Sequence, residues 1–134
     1  ALSTNVTYFF REPQHFDLLA TTICPWMFRQ HQRDRRIRVW SAGCSSGEEP
    51  YSIAMLLSEQ FPELAGWKTQ ILGTDLSDDV LEKARAARFS QIEINRGLPA
   101  ALLTKYFRRE GMHWELVPQI RNLARFIKQL IFMQ

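Results

Sequence analysis

Residues 43–50 carry the strongest chemical signal in the sequence, GCSSGEEP. They follow an apolar segment and precede a helical pattern, so they are expected to form the turn between a strand and a helix. In an open α/β sheet this turn lies at the carboxyl end of the strand, where ligands bind. Gly43 and Gly47 would let the backbone approach a ligand closely, and Glu48 and Glu49 suit a ribose, an amine or a sulfonium better than a phosphate.

Two common nucleotide motifs are excluded at this turn by their spacing. The dinucleotide pattern GxGxxG fails because its second glycine is missing, and the pattern GxxxxGK[ST] fails because its lysine is missing. NAD and ATP are therefore not favoured as ligands. A structural interpretation stays open, in which the glycines only form a tight turn and the glutamates only stabilise the start of the helix.

Asp75 is the second candidate site residue, because it follows a second short strand that is predicted at residues 69–74. The two oxygens of a carboxylate can accept hydrogen bonds from both hydroxyls of an adenosine ribose. A turn or helix-capping aspartate is an equally good interpretation of an isolated residue. The combination with residues 43–50 favours a nucleoside site, and it predicts that Asp75 and this turn lie at the same edge of one sheet.

The surrounding pattern predicts the elements that would position these residues. Apolar residues spaced by three and four between residues 13 and 31 favour a helix that Pro25 kinks or divides. The stripe consists of Phe16, Leu19, Ala20, Ile23, Met27 and Phe28. A strand at residues 37–42, a helix at 48–60 and a strand at 69–74 follow. A further helix, capped by Ser77 or Asp78, continues an alternation that is typical of a parallel α/β sheet with right-handed crossovers.

The last third of the sequence predicts smaller elements. Residues 97–99 open a helix whose buried face includes Leu102, Leu103, Tyr106 and Phe107, and residues 114–117 and 123–127 look like short strands. Only two strands are clearly parallel, fewer than an ordinary sheet contains. We therefore expect strands that follow this chain to be missing, and an unpaired sheet edge to be exposed.

Composition favours one soluble globular domain, since 134 residues with 46% hydrophobic side chains can bury a core. No apolar run reaches membrane-spanning length and no secretory signal begins the chain, so a cytoplasmic location without membrane insertion is expected. Cys24 and Cys44 are read as reduced thiols and no metal site is expected. The net charge of +3 is compatible with an acidic partner. Its arginine cluster at residues 29–38 is read as a solvated bend, so stable nucleic-acid binding is not expected.

Several motifs in order resemble the chemotaxis-receptor glutamate methyltransferases of the CheR type. They are TNVTYFFRE at residues 4–12, SAGCSSGEEPYS at residues 41–52 and GTDLS at residues 73–77, followed by NRGLP at residues 95–99, KYF at residues 105–107, Trp114 and Arg121. The resemblance covers nearly the whole chain. It implies an α/β fold with a Rossmann-like class I methyltransferase sheet and flanking helices, incomplete at the C-terminal side.

The resemblance also implies an activity and a set of roles. Residues 1–134 would be the N-terminal part of a domain that transfers the methyl group of S-adenosylmethionine to receptor glutamates, leaving S-adenosylhomocysteine. Its partners would be the cytoplasmic domains of chemotaxis receptors or related signalling proteins. Asn5, Thr7 and Arg11 would line the methyl-donor and substrate end, Gly43 with the Glu48 and Glu49 pair would face the cofactor, and Asp75 would hold the ribose.

Arg11 is the one candidate catalytic residue. A guanidinium can grip a carboxylate through two parallel hydrogen bonds and orient it for attack on the sulfonium methyl group. No general base is needed, because a glutamate with an ordinary pKa is already ionised at pH 7. On the sequence alone, a surface ion pair of Arg11 with Glu12 or Asp17 is the competing interpretation.

The sequence departs from the family pattern at both ends. The small helical domain that precedes the first motif is not present, and the chain stops before the later strands, an aromatic substrate-side loop and an inserted β-subdomain that docks on receptor tails. Near the end, the pattern places a cofactor-contacting asparagine at or beside Leu130. Two other functions therefore stay open: a module that binds cofactor or partner without catalysis, and an RNA or DNA methyltransferase.

Overall fold

The alternation of helix-period and strand-period segments produces a two-sheet α/β structure. The computed structural model describes residues 7–130, so Asn5 lies outside the described residues. The helices are α1 (Pro13–Leu18), α2 (Cys24–Gln30), α3 (Glu48–Gln60), α4 (Asp78–Ala86), α5 (Gln91–Asn95), α6 (Ala100–Tyr106) and α7 (Pro118–Arg121). The strands are β1 (Arg36–Ala42), β2 (Lys68–Asp75), β3 (Arg88–Ser90), β4 (Phe107–Glu110), β5 (His113–Leu116) and β6 (Ala124–Lys128).

The first sheet is parallel, with strand order β1, β2, β6. Residues 36–42 of β1 pair in register with residues 68–74 of β2, and residues 71–75 of β2 pair with residues 124–128 of β6. The helices α3 and α4 form the crossovers between these strands. The predicted α/β class with flanking helices is thus confirmed, and the segment at residues 123–127 supplies a third parallel strand.

A second sheet lies between α4 and β6 along the chain. It is antiparallel and three-stranded, with β5 between β3 and β4. The sequence predicts the ends of β5 to within one residue, but it does not predict β3. It also places Phe107 on a helix, whereas Phe107 is the first residue of β4. A small inserted sheet is therefore present within residues 7–130.

The helical segment before β1 is divided at Pro25, as predicted. Leu19–Ile23 forms a π-helical turn between α1 and α2. Proline cannot donate a backbone hydrogen bond and its ring crowds the preceding turn, so widening that turn accommodates it. The wider turn rotates the residues that follow, which makes the predicted stripe wrong at one position: Ile23 is 37% exposed, while Cys24 is buried.

Tyr51 joins the two sheets and the helices of the core. Its side chain is fully buried, and its hydroxyl donates to the backbone oxygen of Ala84 in α4 at 2.6 Å. The ring packs against Phe126 of β6 and Phe89 of β3, with centroid separations of 5.4 and 6.3 Å. One residue of α3 therefore ties α4, the parallel sheet and the small sheet together.

The parallel sheet has one buried and one open face. On β1, Ile37 and Ser41 are each 2% exposed, whereas the alternate residue Trp40 is 62% exposed. Within residues 7–130, β1 and β6 each pair with β2 alone, so the outer edge of each strand has no strand partner there. No helix in this described part of the chain is long and apolar enough to cross a membrane.

The open edge and the exposed Trp40 side chain predict that the isolated 134-residue chain self-associates, because unpaired strand edges and apolar faces invite pairing. Trp40→Lys should weaken self-association by about tenfold or more, since buried aromatic side chains dominate such contacts. Light scattering over a concentration series measures the effect.

The matched control is Met112→Lys, which changes a side chain that is 85% exposed on the turn of the small sheet. It should leave the association of the parallel sheet unchanged. A strictly monomeric chain at every concentration would contradict the prediction.

Candidate functional site

The turn between β1 and α3 depends on glycine at Gly47. This residue has φ 97° and is the N-cap of α3, so a side chain would strain the backbone. A Cβ atom there would also stand 3.1 Å from both Ala84 and the ring of Tyr51. The chain can therefore turn within residues 43–47 and begin α3 close to the sheet edge.

Asp75 lies beside this turn, at the carboxyl end of the neighbouring strand. The backbone N–H of Ser45 donates to Asp75 Oδ2 at 2.9 Å, and the N–H of Ser77 donates to Oδ1 at 3.1 Å. The prediction that the turn and Asp75 share one sheet edge is confirmed. Each carboxylate oxygen has a backbone donor that fixes its direction and keeps further capacity to accept hydrogen bonds from a diol.

The two glutamates of the turn have different environments. Glu49 is exposed, lines a cleft, and accepts a hydrogen bond from the hydroxyl of Ser41 at 2.6 Å. Glu48 is only 2% exposed and accepts a hydrogen bond from the hydroxyl of Ser46. Neighbouring residues on a helix point about 100° apart, and here Glu48 points into the interior while Glu49 lines the cleft. Glu49 is the carboxylate that a ligand in the cleft can reach.

The cleft gathers several of the residues that the sequence singles out. It has a volume of about 120 Å³ and is lined by Thr7, Tyr8, Arg11, Phe16, Gly43, Cys44, Ser45 and Glu49. Asp75 adjoins it through Ser45, whereas Glu48 lies in the interior. A ligand with a nucleoside is larger than this volume. The cleft is therefore too small to enclose a whole ligand of this kind, and Asp75 lies next to it, outside its lining.

Arg11 lies on a segment, residues 7–12, that we call the strap. Arg11 is exposed and faces the cleft, and the backbone on either side of it is left-handed, with φ 53° at Phe10 and 58° at Glu12. The Glu12 carboxylate lies 3.2 Å from His15 Nδ1. The strap thus carries a cation to the same place as the Glu49 carboxylate.

Sequence reasoning did not find four residues that line the cleft, namely Tyr8, Phe16, Cys44 and Ser45. Cys44 is 2% exposed, and burial, followed by the nearby Asp75 charge, raises its pKa to about 12. Its thiol therefore remains protonated and acts in packing. Tyr8 and Ser45 lie in the same motifs as Arg11 and Gly43. This shared position is the signal by which the sequence could have indicated them.

The carboxyl ends of the three parallel strands are connected by side chains. Trp40 Nε1 donates to Thr74 Oγ1 at 2.9 Å, and this hydroxyl donates to Gln129 Oε1 at 3.1 Å. Gln129 also donates its backbone N–H to the backbone oxygen of Asp75 at 2.8 Å. Leu130, at or beside which the family pattern places an asparagine, is 62% exposed. The Gln129 side chain thus contacts Thr74, the residue before Asp75.

Comparison with known proteins gives a consistent result. Residues 5–132 match the family model described as CheR methyltransferase, SAM binding domain. A chemotaxis protein methyltransferase of Borreliella burgdorferi is 45% identical over 98% of this chain and 47% of its own length. Chemotaxis protein methyltransferase 2 of Vibrio cholerae is 39% identical over 94% of this chain and 43% of its own length. The chemotaxis protein methyltransferase of Escherichia coli is 39% identical over 95% of this chain and 42% of its own length. The chain spans about half the length of these curated relatives.

The burial of Glu48 leads us to expect that the stability of the fold depends on pH. Burial raises the pKa of its carboxyl above the ordinary value, so the folded state holds the proton more tightly than the unfolded state does. The free energy of unfolding therefore falls as pH rises from the ordinary pKa through the raised one. Glu48→Gln keeps an acceptor for Ser46 and should stabilise the fold by about 1 kcal/mol at pH 7, with no gain near about pH 4.

Urea unfolding of both proteins between about pH 4 and pH 8 measures this difference. Glu49→Gln is the control, because that side chain is exposed and its replacement should change stability by less than about 0.5 kcal/mol. A Glu48→Gln protein that is less stable than the parent at pH 7 would show that the fold favours the ionised carboxylate.

Proposed function

Because this chain belongs to the CheR methyltransferase family, we propose that the protein transfers the methyl group of S-adenosylmethionine to glutamate side chains of chemotaxis receptors. S-adenosylhomocysteine is the second product. The cytoplasmic domain of a receptor is the substrate, and the enzyme acts in the cytoplasm. The observation that carries the proposal is that Arg11 and Glu49 line one cleft at the carboxyl edge of a parallel sheet, and that Asp75 adjoins this cleft through Ser45.

The residues present fit the chemical groups of this cofactor. Asp75 is oriented by the N–H groups of Ser45 and Ser77 and can accept hydrogen bonds from the two ribose hydroxyls. Glu49 offers a carboxylate in the cleft for the amino group, and Thr7 and Gly43 complete the wall around it. Glu48 supports the turn from inside the protein. When bound, S-adenosylmethionine supplies a methyl group on a positively charged sulfur.

Arg11 acts on the acceptor. Its guanidinium is exposed at the cleft and can bind the incoming glutamate through two parallel hydrogen bonds. Orientation of this kind raises the rate because it replaces a chance encounter by a fixed geometry. No residue has to remove a proton, since the glutamate carboxylate is ionised at pH 7.

The two roles predict different effects of substitution. Asp75→Ala removes an interaction made before and during transfer, so it should weaken cofactor binding by roughly 1 to 3 kcal/mol. Arg11→Ala should leave much of the cofactor affinity intact and lower methyl transfer by on the order of a hundredfold or more. Calorimetric titration and transfer of labelled methyl groups to a receptor fragment, both on the full natural polypeptide, measure the two quantities.

The matched controls are Asp79→Ala and Arg33→Ala, which remove the same charges at exposed positions outside the cleft lining. Both should behave like the parent. Parent-like transfer by Arg11→Ala or parent-like binding by Asp75→Ala would make the corresponding assignment wrong. Cofactor binding by the parent without any transfer would favour a binding module, and methylation of nucleic acid in place of the receptor would favour the other class of methyltransferase.

We propose that the small antiparallel sheet docks on the receptor, although the sequence predicts that the docking β-subdomain lies beyond the end of this chain. It is inserted between α4 and β6, and the outer edge of β4 pairs with no strand in the described part of the chain. An extended peptide can add to such an edge through backbone hydrogen bonds. Arg108 and Arg109 on β4 are exposed and give this edge a positive charge.

Docking at β4 predicts where a receptor fragment can be cross-linked. A photoreactive residue in place of Arg108 should form an adduct with the fragment, because this side chain is exposed on the proposed edge. The same residue in place of Arg33, which precedes β1, should form none. Mass spectrometry identifies the adducts, and labelling at position 33 but not 108 would place the docking surface elsewhere.

A further inference from the structure

Ser52 of α3 lies beneath the strap. Its side chain is fully buried, and its hydroxyl donates to the backbone oxygen of Glu48 at 2.6 Å. The same hydroxyl accepts a hydrogen bond from the backbone N–H of Phe10 at 3.0 Å. This contact joins the helix that begins at the turn to the residue directly before Arg11.

The strap needs such an anchor because its backbone is strained next to Arg11. Phe10 and Glu12 both have positive φ, at 53° and 58°. Residues other than glycine seldom adopt this backbone conformation, and it persists where the surrounding structure stabilises it. The hydrogen bond to Ser52 holds the N–H of one of these two residues.

The residue before Phe10 is held by packing. Phe9 is fully buried, and its ring meets Phe89 of β3 and Phe107 of β4 at centroid separations of 5.0 and 5.7 Å. A Cβ atom on Gly97 would stand 2.0 Å from the backbone oxygen of Phe9. The strap is therefore held by α3 at Phe10 and by the small sheet and the Gly97 turn at Phe9.

We propose that Ser52 is a positioning residue for methyl transfer, which holds the strap so that Arg11 meets the acceptor glutamate in the cleft. The inference rests on the proposed function of Arg11. Ser52 is buried and does not line the cleft, so it affects methyl transfer only through the position of the Arg11 guanidinium. Loss of the hydroxyl frees the Phe10 N–H and lets the strained backbone relax, which moves Arg11 away from its place.

The test is a double-mutant cycle in the full natural polypeptide. Ser52→Ala should lower kcat for a receptor fragment by about tenfold, because displacements near 1 Å at a reacting group have effects of this size or larger. The dissociation constant of S-adenosylmethionine should change by less than about threefold. In a protein that already carries Arg11→Ala, the added Ser52→Ala should change kcat by less than about twofold.

Ser58→Ala is the matched control, since it makes the same substitution on α3 at a residue that lines a different cavity. It should keep the parent kcat. Circular dichroism and thermal unfolding show whether each variant is folded. Equal losses of kcat from Ser52→Ala with and without Arg11, or no loss at all, would overturn the inference. A parent-like Arg11→Ala protein would instead overturn the proposed role of Arg11.

Gly97→Ala tests the position of the strap through Phe9 if Ser52→Ala does not fold. The new methyl group collides with the Phe9 oxygen and should displace the strap without removing any polar group. It should lower kcat by about tenfold or more and, again, only while Arg11 is present. Full activity of folded Gly97→Ala, or an equal loss in the Arg11→Ala background, would count against the inference.

Discussion

Parallel pairing between β1 and β2 determines which residues can meet at the candidate site. Ala42 lies opposite Thr74, so the chain leaves both strands at the same edge. The N–H of Ser45 then reaches the Asp75 carboxylate, and the glycine turn and the acidic residue become parts of one surface. A shift of the register by two residues would separate them by about 7 Å, more than a hydrogen bond can span. The site therefore depends on contacts between distant parts of the chain as much as on its motif.

The fold could be predicted where local pattern and burial agree. The bounds of α3 match the prediction, and β1 and β2 differ from it by one residue at their ends. Ile23 could not be placed, because the π-helical turn before Pro25 changes the phase of the stripe and no spacing rule contains that turn. The strands β3 and β4 are three and four residues long and gain their form by pairing with β5. Such pairing is a tertiary effect that short patterns do not record.

The site was predictable to a different degree. Gly43, Glu49 and Arg11 come together in one cleft, and Asp75 stands beside it, as the motif order indicated. The sequence could not say which of Glu48 and Glu49 faces outward, because that depends on how the turn rotates the first residues of α3. The depth of Glu48 and the contact of Ser41 with Glu49 both follow from this rotation. The roles of these residues toward a ligand stay predictions.

The cysteines have a consequence for how the protein can be observed. Cys24 and Cys44 are each 2% exposed, and burial raises their pKa to about 11 and about 12. Maleimides and related reagents attack the thiolate, which at neutral pH is present at less than about one part in a thousand for such groups. A cysteine introduced at the position of Met112, on the exposed turn of the small sheet, would thus be the one thiol that reacts readily. A fluorophore or spin label could be attached there with both native cysteines left in place.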